Sequence, residues 1–210
     1  MSIQSAFAYP TTRNNAGALD TTFAANGKTQ VYFADSLFSL ANGVAIDAQG
    51  RLLVAAKVGM ADGSRFGLAR LLEDGCADLT FGKQGSVIGQ FEPGFEAMGT
   101  KVLILPDGNI LLAGLQYENA HRTLPALALL DQDGRLVRSF GDNGRCVVRL
   151  PGGLSLGMRD KWLPPGVPGA EACDVDVQQD GRILILANHH FELADHVGIC
   201  LLYTSPSPRD

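Results

Sequence analysis

The strongest constraint on the fold of this chain is a short motif that occurs three times at almost constant spacing. Each copy has an initial glycine, a phenylalanine near its middle and a closing glycine, and the copies lie at 17–27, 75–85 and 134–144. The phenylalanines are 58 and then 59 residues apart. A period of this length indicates that one supersecondary unit is repeated and stacked, so a single irregular core is not expected.

A second motif in each copy predicts a β-hairpin. Two short apolar stretches flank a glycine, at Gly50, Gly108 and Gly181. Glycine adopts positive φ without a steric cost, so these three residues are predicted to lie at tight hairpin corners. The first two glycines are 58 residues apart and the last two 73. The difference predicts an insertion of about 15 residues in the third copy, and we assign it to 152–169.

Two further apolar stretches complete the strands of each copy. One lies at 67–72, 126–130 and 198–202, and the other follows the phenylalanine motif, at 29–33, 86–91 and 145–150. Each period therefore holds about four strands of about five or six residues, and no stretch of helical length.

The pattern within the strands predicts how the units pack. Strands such as 102–105 and 183–186 are apolar on both faces, which is typical of a sheet covered on each side by a neighbour. Four-stranded units repeating at more than about 40 residues match propeller blades. The predicted fold is all-β, a partial β-propeller of about three four-stranded antiparallel blades. A β-sandwich is the alternative, although its strands need not repeat in sequence.

The predicted domain organisation has three parts. These are an N-terminal lead-in at 1–16, tandem repeats at about 17–74, 75–133 and 134–202, and a tail at 203–210. The tail breaks the period abruptly, and we expect it to be non-native and dispensable. Propellers close with about four to eight blades, so further blades are expected in the full-length protein. Both end faces of a three-blade piece should be apolar and uncovered, which favours association.

These motifs resemble the bacterial delta-60 repeat, a propeller-type repeat of unknown function, over about 17–202. The second copy keeps the aspartate of the pattern as Asp78, whereas the third has Val137 in its place. The first copy carries the pattern best, through Gly17, Leu19, Asp20, Phe23 and Gly27. The segment 133–141 is also similar to the end of an NHL repeat, a shorter propeller repeat used for binding. The resemblance implies a propeller and supplies no catalytic residues.

Composition disfavours several classes of function. Hydrophobic residues make up 46% of the chain and charged residues 19%, so disorder is not expected. A net charge of −5 with scattered basic residues argues against a nucleic-acid partner, and no polybasic patch or long apolar segment indicates a membrane. Without a recognisable signal peptide the default location is cytoplasmic, with export by another route as the alternative. The cysteines form no C-x-x-C pair and are expected to be buried, with a disulfide or a metal site as the alternative: Cys76, Cys146, Cys173 and Cys200.

No motif in the chain predicts catalysis, and no catalytic, cofactor-binding or metal-binding residue is assigned. No cofactor is expected. The densest group of potential metal ligands is expected in a solvated loop, and adjacent histidines on a strand would point to opposite faces. This group comprises His189, His190, Asp195 and His196.

Two acidic pairs are weaker candidates. Asp131 and Asp133 resemble the start of a calcium loop, but the residues that follow carry the wrong charge, so a turn is favoured. Glu92 and Glu96 have the spacing of two carboxylates on one side of an extended backbone, which mostly indicates a polar face.

The insertion carries the predicted interface. Met158, Trp162 and Leu163 lie there among prolines and glycines, and an exposed tryptophan with apolar neighbours often anchors a contact. The alternative is that Trp162 packs onto its own blade. The predicted function is a non-catalytic β-propeller binding or scaffolding module that recognises an unknown protein, peptide or glycan through rim loops. The alternatives are a propeller enzyme of the lyase or lactonase type, with its site in missing blades, and a structural segment of a larger surface protein.

Overall fold

The computed structural model describes residues 17–119, 122–149, 174–191 and 194–202. All regular structure in these ranges is β, in eleven strands and without a helix. The strands are β1 Phe38–Ile46, β2 Leu52–Met60, β3 Gly63–Leu71, β4 Ser86–Gly89, β5 Glu96–Ile104, β6 Ile110–Asn119, β7 Arg122–Leu130, β8 Arg145–Val147, β9 Asp174–Val177, β10 Ile183–Phe191 and β11 Ala194–Leu202.

The strands form three antiparallel sheets in which neighbours in sequence pair with each other. The first sheet contains β1 to β4, the second β5 to β8 and the third β9 to β11. This arrangement confirms the all-β prediction of a partial propeller built from four-stranded sheets. The third sheet has three strands within the described ranges, and the sequence position of a fourth lies after Leu202, outside them.

The sheets are displaced by one strand from the repeats that the sequence delimits. β4 follows the second phenylalanine motif but pairs with β3, which precedes that motif. β8 pairs with β7 in the same way. The predicted strand at 29–33 is wrong, because these residues form no strand. Their equivalents pair with the third strand of the preceding sheet, and no described strand precedes residue 29.

The predicted hairpin corners are confirmed. Gly50, Gly108 and Gly181 have φ values of 75°, 83° and 85°. Each glycine N–H donates to the carbonyl oxygen three residues earlier, at 2.9–3.0 Å. A side chain at such a φ costs about 1 kcal/mol or more, so glycine at these corners has a physical cause.

The phenylalanine motif is a turn with the same backbone geometry in all three copies. The N–H of the closing glycine donates to the phenylalanine carbonyl oxygen, at 2.7–2.9 Å. Phe81 is buried between the first and second sheets and Phe140 between the second and third, as predicted. The prediction fails for Phe23, which is half-buried because no described sheet covers its other side.

Two apolar layers hold the sheets face to face. In the first, Leu53, Phe66 and Leu68 pack against Val102, Ile110 and Leu112, and none is more than 2% exposed. In the second layer, Leu111 and Leu127 pack against Ile183 and Ile185. Burying a side chain of this size stabilises the folded state by about 1.5–3 kcal/mol. The second sheet, covered on both faces, is therefore the middle of the three described sheets.

The histidine group lies on strands, so its predicted position in a loop is wrong. The register pairs His189 with His196 and His190 with Asp195 across β10 and β11. These strands have nine residues each, longer than expected, because backbone ladder hydrogen bonds extend a hairpin past its apolar part. The lead-in, the insertion with Met158, Trp162 and Leu163, and the tail lie outside the described residues.

Candidate functional site

One end of the sheet stack holds the connection between the first and second sheets. The antiparallel order places there the β2–β3 turn, the end of β6, the start of β7 and the segment that enters β5. The opposite end holds the Asp-Gly and Gln-Gly hairpin turns. The first of these ends is called the connecting face below.

A pocket of about 420 Å³ opens at the connecting face, between the first and second sheets. The first sheet and the segment that follows it supply most of its walls, and Arg145 comes from the second sheet. The lining residues are Met60, Asp62, Arg65, Ile88, Gly89, Gln90, Pro93 and Arg145.

Two arginines from different sheets line this pocket. Arg65 donates to Asp62 Oδ2 (2.7 Å) and to the Ser64 carbonyl oxygen (3.0 Å), which fixes its guanidinium at the rim. Arg145 comes from β8, and its Nε is buried without a hydrogen-bond partner among the described residues. An unsatisfied buried donor costs about 1–3 kcal/mol.

Beside the pocket, Glu92 holds a bidentate ion pair. Its carboxylate accepts from both terminal nitrogens of Arg149, at 2.9 and 2.7 Å, and from Gln116 Nε2 at 2.7 Å. The hydrogen bonds from Arg149 and Gln116 lower the pKa of Glu92, although burial opposes them, and Glu92 in turn raises the pKa of Arg149. Gln116 is fully buried, and its Oε1 has no partner within the described ranges.

Two further contacts cross between the sheets at this face. Glu96, the first residue of β5, accepts from the Ser64 hydroxyl and N–H at 2.7 and 2.9 Å. The Ser64 hydroxyl lowers the pKa of Glu96 despite the opposing effect of burial. Lys57 Nζ lies 4.7 Å from the centre of the Tyr117 ring, a cation–π contact of about 0.5–1 kcal/mol. Glu92 precedes β5, so the even spacing to Glu96 does not act on one continuous strand.

The first strands of successive sheets approach one another through polar residues. Asn42 and Thr100 occupy equivalent bulges in β1 and β5. Asn42 Nδ2 donates to the Gly99 carbonyl oxygen (2.8 Å), and Thr100 Oγ1 donates to that of Ala113 (3.2 Å). Both side chains therefore use their donor groups to hydrogen-bond to backbone carbonyl oxygens.

An ion pair links the next positions along these strands. Lys101 of β5 pairs with Asp174 of β9, at equivalent places in the second and third sheets. The hydrogen bond from Lys101 lowers the pKa of Asp174. The pair is half-exposed and joins the first strands of two sheets.

The remaining sequence candidates have structural explanations. Asp131 Oδ1 accepts from the N–H groups of Asp133 and Arg135 at 2.9 and 2.8 Å, which is the favoured turn. Cys76 is exposed, so its predicted burial is wrong, and Cys146 is half-buried. Asp74 raises the pKa of the Cys76 thiol, and burial raises that of Cys146. No group of three or more His, Cys, Asp or Glu in the described part of the chain can hold a metal ion.

Sequence reasoning missed the residues that build the pocket and its border. These residues come from all three copies, and folding brings them together: Arg65 from the first, Gln116 from the second, and Arg145 and Arg149 from the third. A sequence signal for this site was Gln116, a polar residue that comes directly after the apolar run 110–115.

Comparison with known families supports the propeller. The family model described as "Domain of unknown function (DUF5122) beta-propeller" matches residues 49–81. The match runs from the β1–β2 hairpin to the second phenylalanine motif and supports a propeller-type repeat. No curated protein and no solved structure matches the chain significantly. In the ranges that the structure describes, no helix is long and apolar enough to span a membrane.

Proposed function

We propose that this chain is a β-propeller binding module whose connecting face binds a protein or peptide, with a carboxylate of the partner in the pocket. The observation that carries the proposal is the meeting of Arg65 and Arg145, from two sheets, at one cavity. The planar guanidinium fork matches a carboxylate in geometry and charge. Met60, Ile88 and Pro93 provide apolar walls for the aliphatic part of an acidic side chain.

Hydrogen bonds that fix the walls of the pocket before a ligand binds support this function. The Ser64–Glu96 hydrogen bonds cross between the sheets beside the pocket, and the Arg149–Glu92 pair orders its border. A rigid pocket binds with a smaller loss of conformational entropy than a mobile one. The predicted interface residues Met158, Trp162 and Leu163 lie outside the described residues and stay a prediction.

The other hypotheses have less support. An enzyme of the lyase or lactonase type requires reactive polar groups on the first strands of its sheets. In β1 and β5 the polar side chains of Asn42 and Thr100 hydrogen-bond to backbone carbonyl oxygens. A glycan ligand and a purely structural role remain alternatives. A cytoplasmic location and the exclusion of nucleic acid and membrane partners stay predictions from composition.

Peptide selection tests the proposal. Purified chain is mixed with two pools of random octapeptides that differ only at one fixed central position, glutamate in one pool and glutamine in the other. Mass spectrometry of the retained peptides should show about tenfold enrichment of the glutamate pool, since one charge-assisted hydrogen bond is worth about 1.5–3 kcal/mol.

Matched arginine variants localise the effect. Arg145→Gln should remove the enrichment, because it takes one of the two guanidinium groups out of the pocket lining. Arg138→Gln removes the same charge from an exposed arginine outside the pocket and should leave the enrichment unchanged. Equal retention of the two pools, or equal effects of the two variants, would contradict the proposal.

A further inference from the structure

The pocket at the connecting face includes an acidic side chain beside its two arginines. Asp62 lies on the turn between β2 and β3 and belongs to the pocket lining. Its carboxylate accepts from Arg65 at 2.7 Å, and its side chain is 74% exposed, whereas that of Arg65 is 17% exposed. Asp62 is therefore an exposed acid at the border of a pocket that is proposed to bind an acid.

The charges in the lining decide which anion the pocket can neutralise. Arg65 and Arg145 are positive and Asp62 is negative, which leaves a single positive charge. A carboxylate carries one negative charge, so it brings the pocket to neutrality. A phosphate monoester carries about −1.5 to −2 charges at pH 7 and would place an excess of negative charge next to Asp62.

Other basic residues at the connecting face do not change this balance, because they have acidic neighbours. The Arg149 guanidinium donates to Glu92 at 2.9 and 2.7 Å. Lys57 and Glu96 attract each other across the same face. The charge that an anion meets in the pocket is therefore set mainly by the lining.

We propose that Asp62 is a specificity-determining residue, which makes the pocket select a carboxylate of the partner over a phosphate group. This inference rests on the proposed function, since it concerns the ligand of the same pocket. A guanidinium fork binds either anion, so the two arginines by themselves do not separate them. Repulsion between two unit charges about 4 Å apart in water corresponds to about a fivefold loss of affinity.

Peptide retention at about pH 7.5 tests the proposal, because phosphoserine is then mostly a dianion. Purified full chain is mixed with three pools of random octapeptides that differ only at the central position, which is glutamate, phosphoserine or glutamine. The wild type should favour the glutamate pool over the phosphoserine pool. In Asp62→Asn, the ratio of phosphoserine to glutamate retention should rise about fivefold. Asparagine has the same shape and its oxygen can still accept from Arg65, so the variant removes the charge alone.

Asp133→Asn is the matched control. Asp133 is also an exposed acid before a glycine with an arginine partner, Arg135, but it lies outside the pocket lining, so its variant should leave the ratio unchanged. A wild type that prefers phosphoserine, an unchanged ratio in Asp62→Asn, or equal changes in the two variants would overturn this inference alone, provided that glutamate is still retained over glutamine. Equal retention of the glutamate and glutamine pools would overturn the proposed function as well.

Discussion

One pair of side chains is charged at the junction between the first and second sheets and apolar at the junction between the second and third. At the first junction, Arg70 of β3 and Asp78 form an ion pair of 2.8 Å and are only 3% and 6% exposed. At the second, Leu129 of β7 and Val137 take the equivalent positions. The backbone is the same, because the N–H of Asp78 and of Val137 each donates to the carbonyl oxygen of the partner residue at 2.9 Å.

The surroundings of the ion pair show how a charge is accommodated in the first junction. The Arg70 guanidinium lies 4.5 Å from the centre of the Phe81 ring and donates to the Gln132 carbonyl oxygen. Burial raises the pKa of Asp78, but the hydrogen bonds from Thr80 and the charge of Arg70 outweigh it, so the pKa is lowered. The comparison teaches that the turn and its phenylalanine build the junction, and that a satisfied ion pair and an apolar pair are interchangeable within it.

Removing the phenylalanine should have the largest effect on both junctions. Phe81→Ala should lower the free energy of unfolding by about 4 kcal/mol, through lost burial and a cavity. Phe140→Ala at the second junction should cost about 1 kcal/mol less, because its ring carries no arginine. Urea denaturation measures both. Phe23→Ala is the control, and its half-buried ring should cost the least; a loss as large as that of Phe81→Ala would contradict the comparison.

Breaking the ion pair from one side should have the next largest effect. Asp78→Val leaves the Arg70 charge buried without its partner, and the expected loss is about 3 kcal/mol in urea denaturation. Asp62→Val removes a carboxylate whose side chain is 74% exposed, and it should change stability by less than about 1 kcal/mol. Similar losses in the two variants would mean that the burial of the pair has no energetic consequence.

Converting the first junction into the second should have a small effect. The double variant Arg70→Leu/Asp78→Val copies the residues of the second junction, and its stability should lie within about 1 kcal/mol of the wild type. Gln132 is exposed, so water can replace the donor that its carbonyl oxygen loses. A double variant as unstable as Asp78→Val alone would show that the ion pair itself is required.

The smallest expected difference is in the stability of the wild type and the double variant at acidic pH. The folded pKa of Asp78 lies below its ordinary value of 3.8, so the unfolded chain binds the proton first as pH falls. The contribution of Asp78 is complete above that value and is lost as pH falls toward the folded pKa. Urea denaturation between about pH 5 and pH 3 should show a steeper loss for the wild type than for the double variant. Parallel slopes would remove Asp78 as the cause.

Much of the local structure was predictable from the sequence, for reasons that particular residues show. Gly108 lies at its predicted corner because only the local φ had to be satisfied there. The replacement of the ion pair by an apolar pair is also visible in the sequence. Arg70 in the first apolar run is followed by Asp78, whereas Leu129 in the second is followed by Val137. Two substitutions that change together within one chain point to a contact.

The candidate site was not predictable in the same way. Arg65 and Arg145 are 80 residues apart in sequence, and they meet because the apolar layer of Phe66, Val102 and Leu112 sets the distance between their sheets. The segment 29–33 shows the opposite case, in which the local sequence predicts a strand that the fold does not form. Its apolar residues favour an extended backbone, but a strand also needs a partner to supply its hydrogen bonds.

By itself the sequence determined the period, the all-β character of the units and the corners where the chain reverses. These follow from local φ preferences and from apolar spacing, which act over a few residues. Only the tertiary structure decided that β4 completes the preceding sheet, that two arginines line one pocket, and that Asp62 adds a negative charge to its lining. Each of these depends on which sheet lies next to which, and a repeated pattern looks the same whether or not a neighbour covers it.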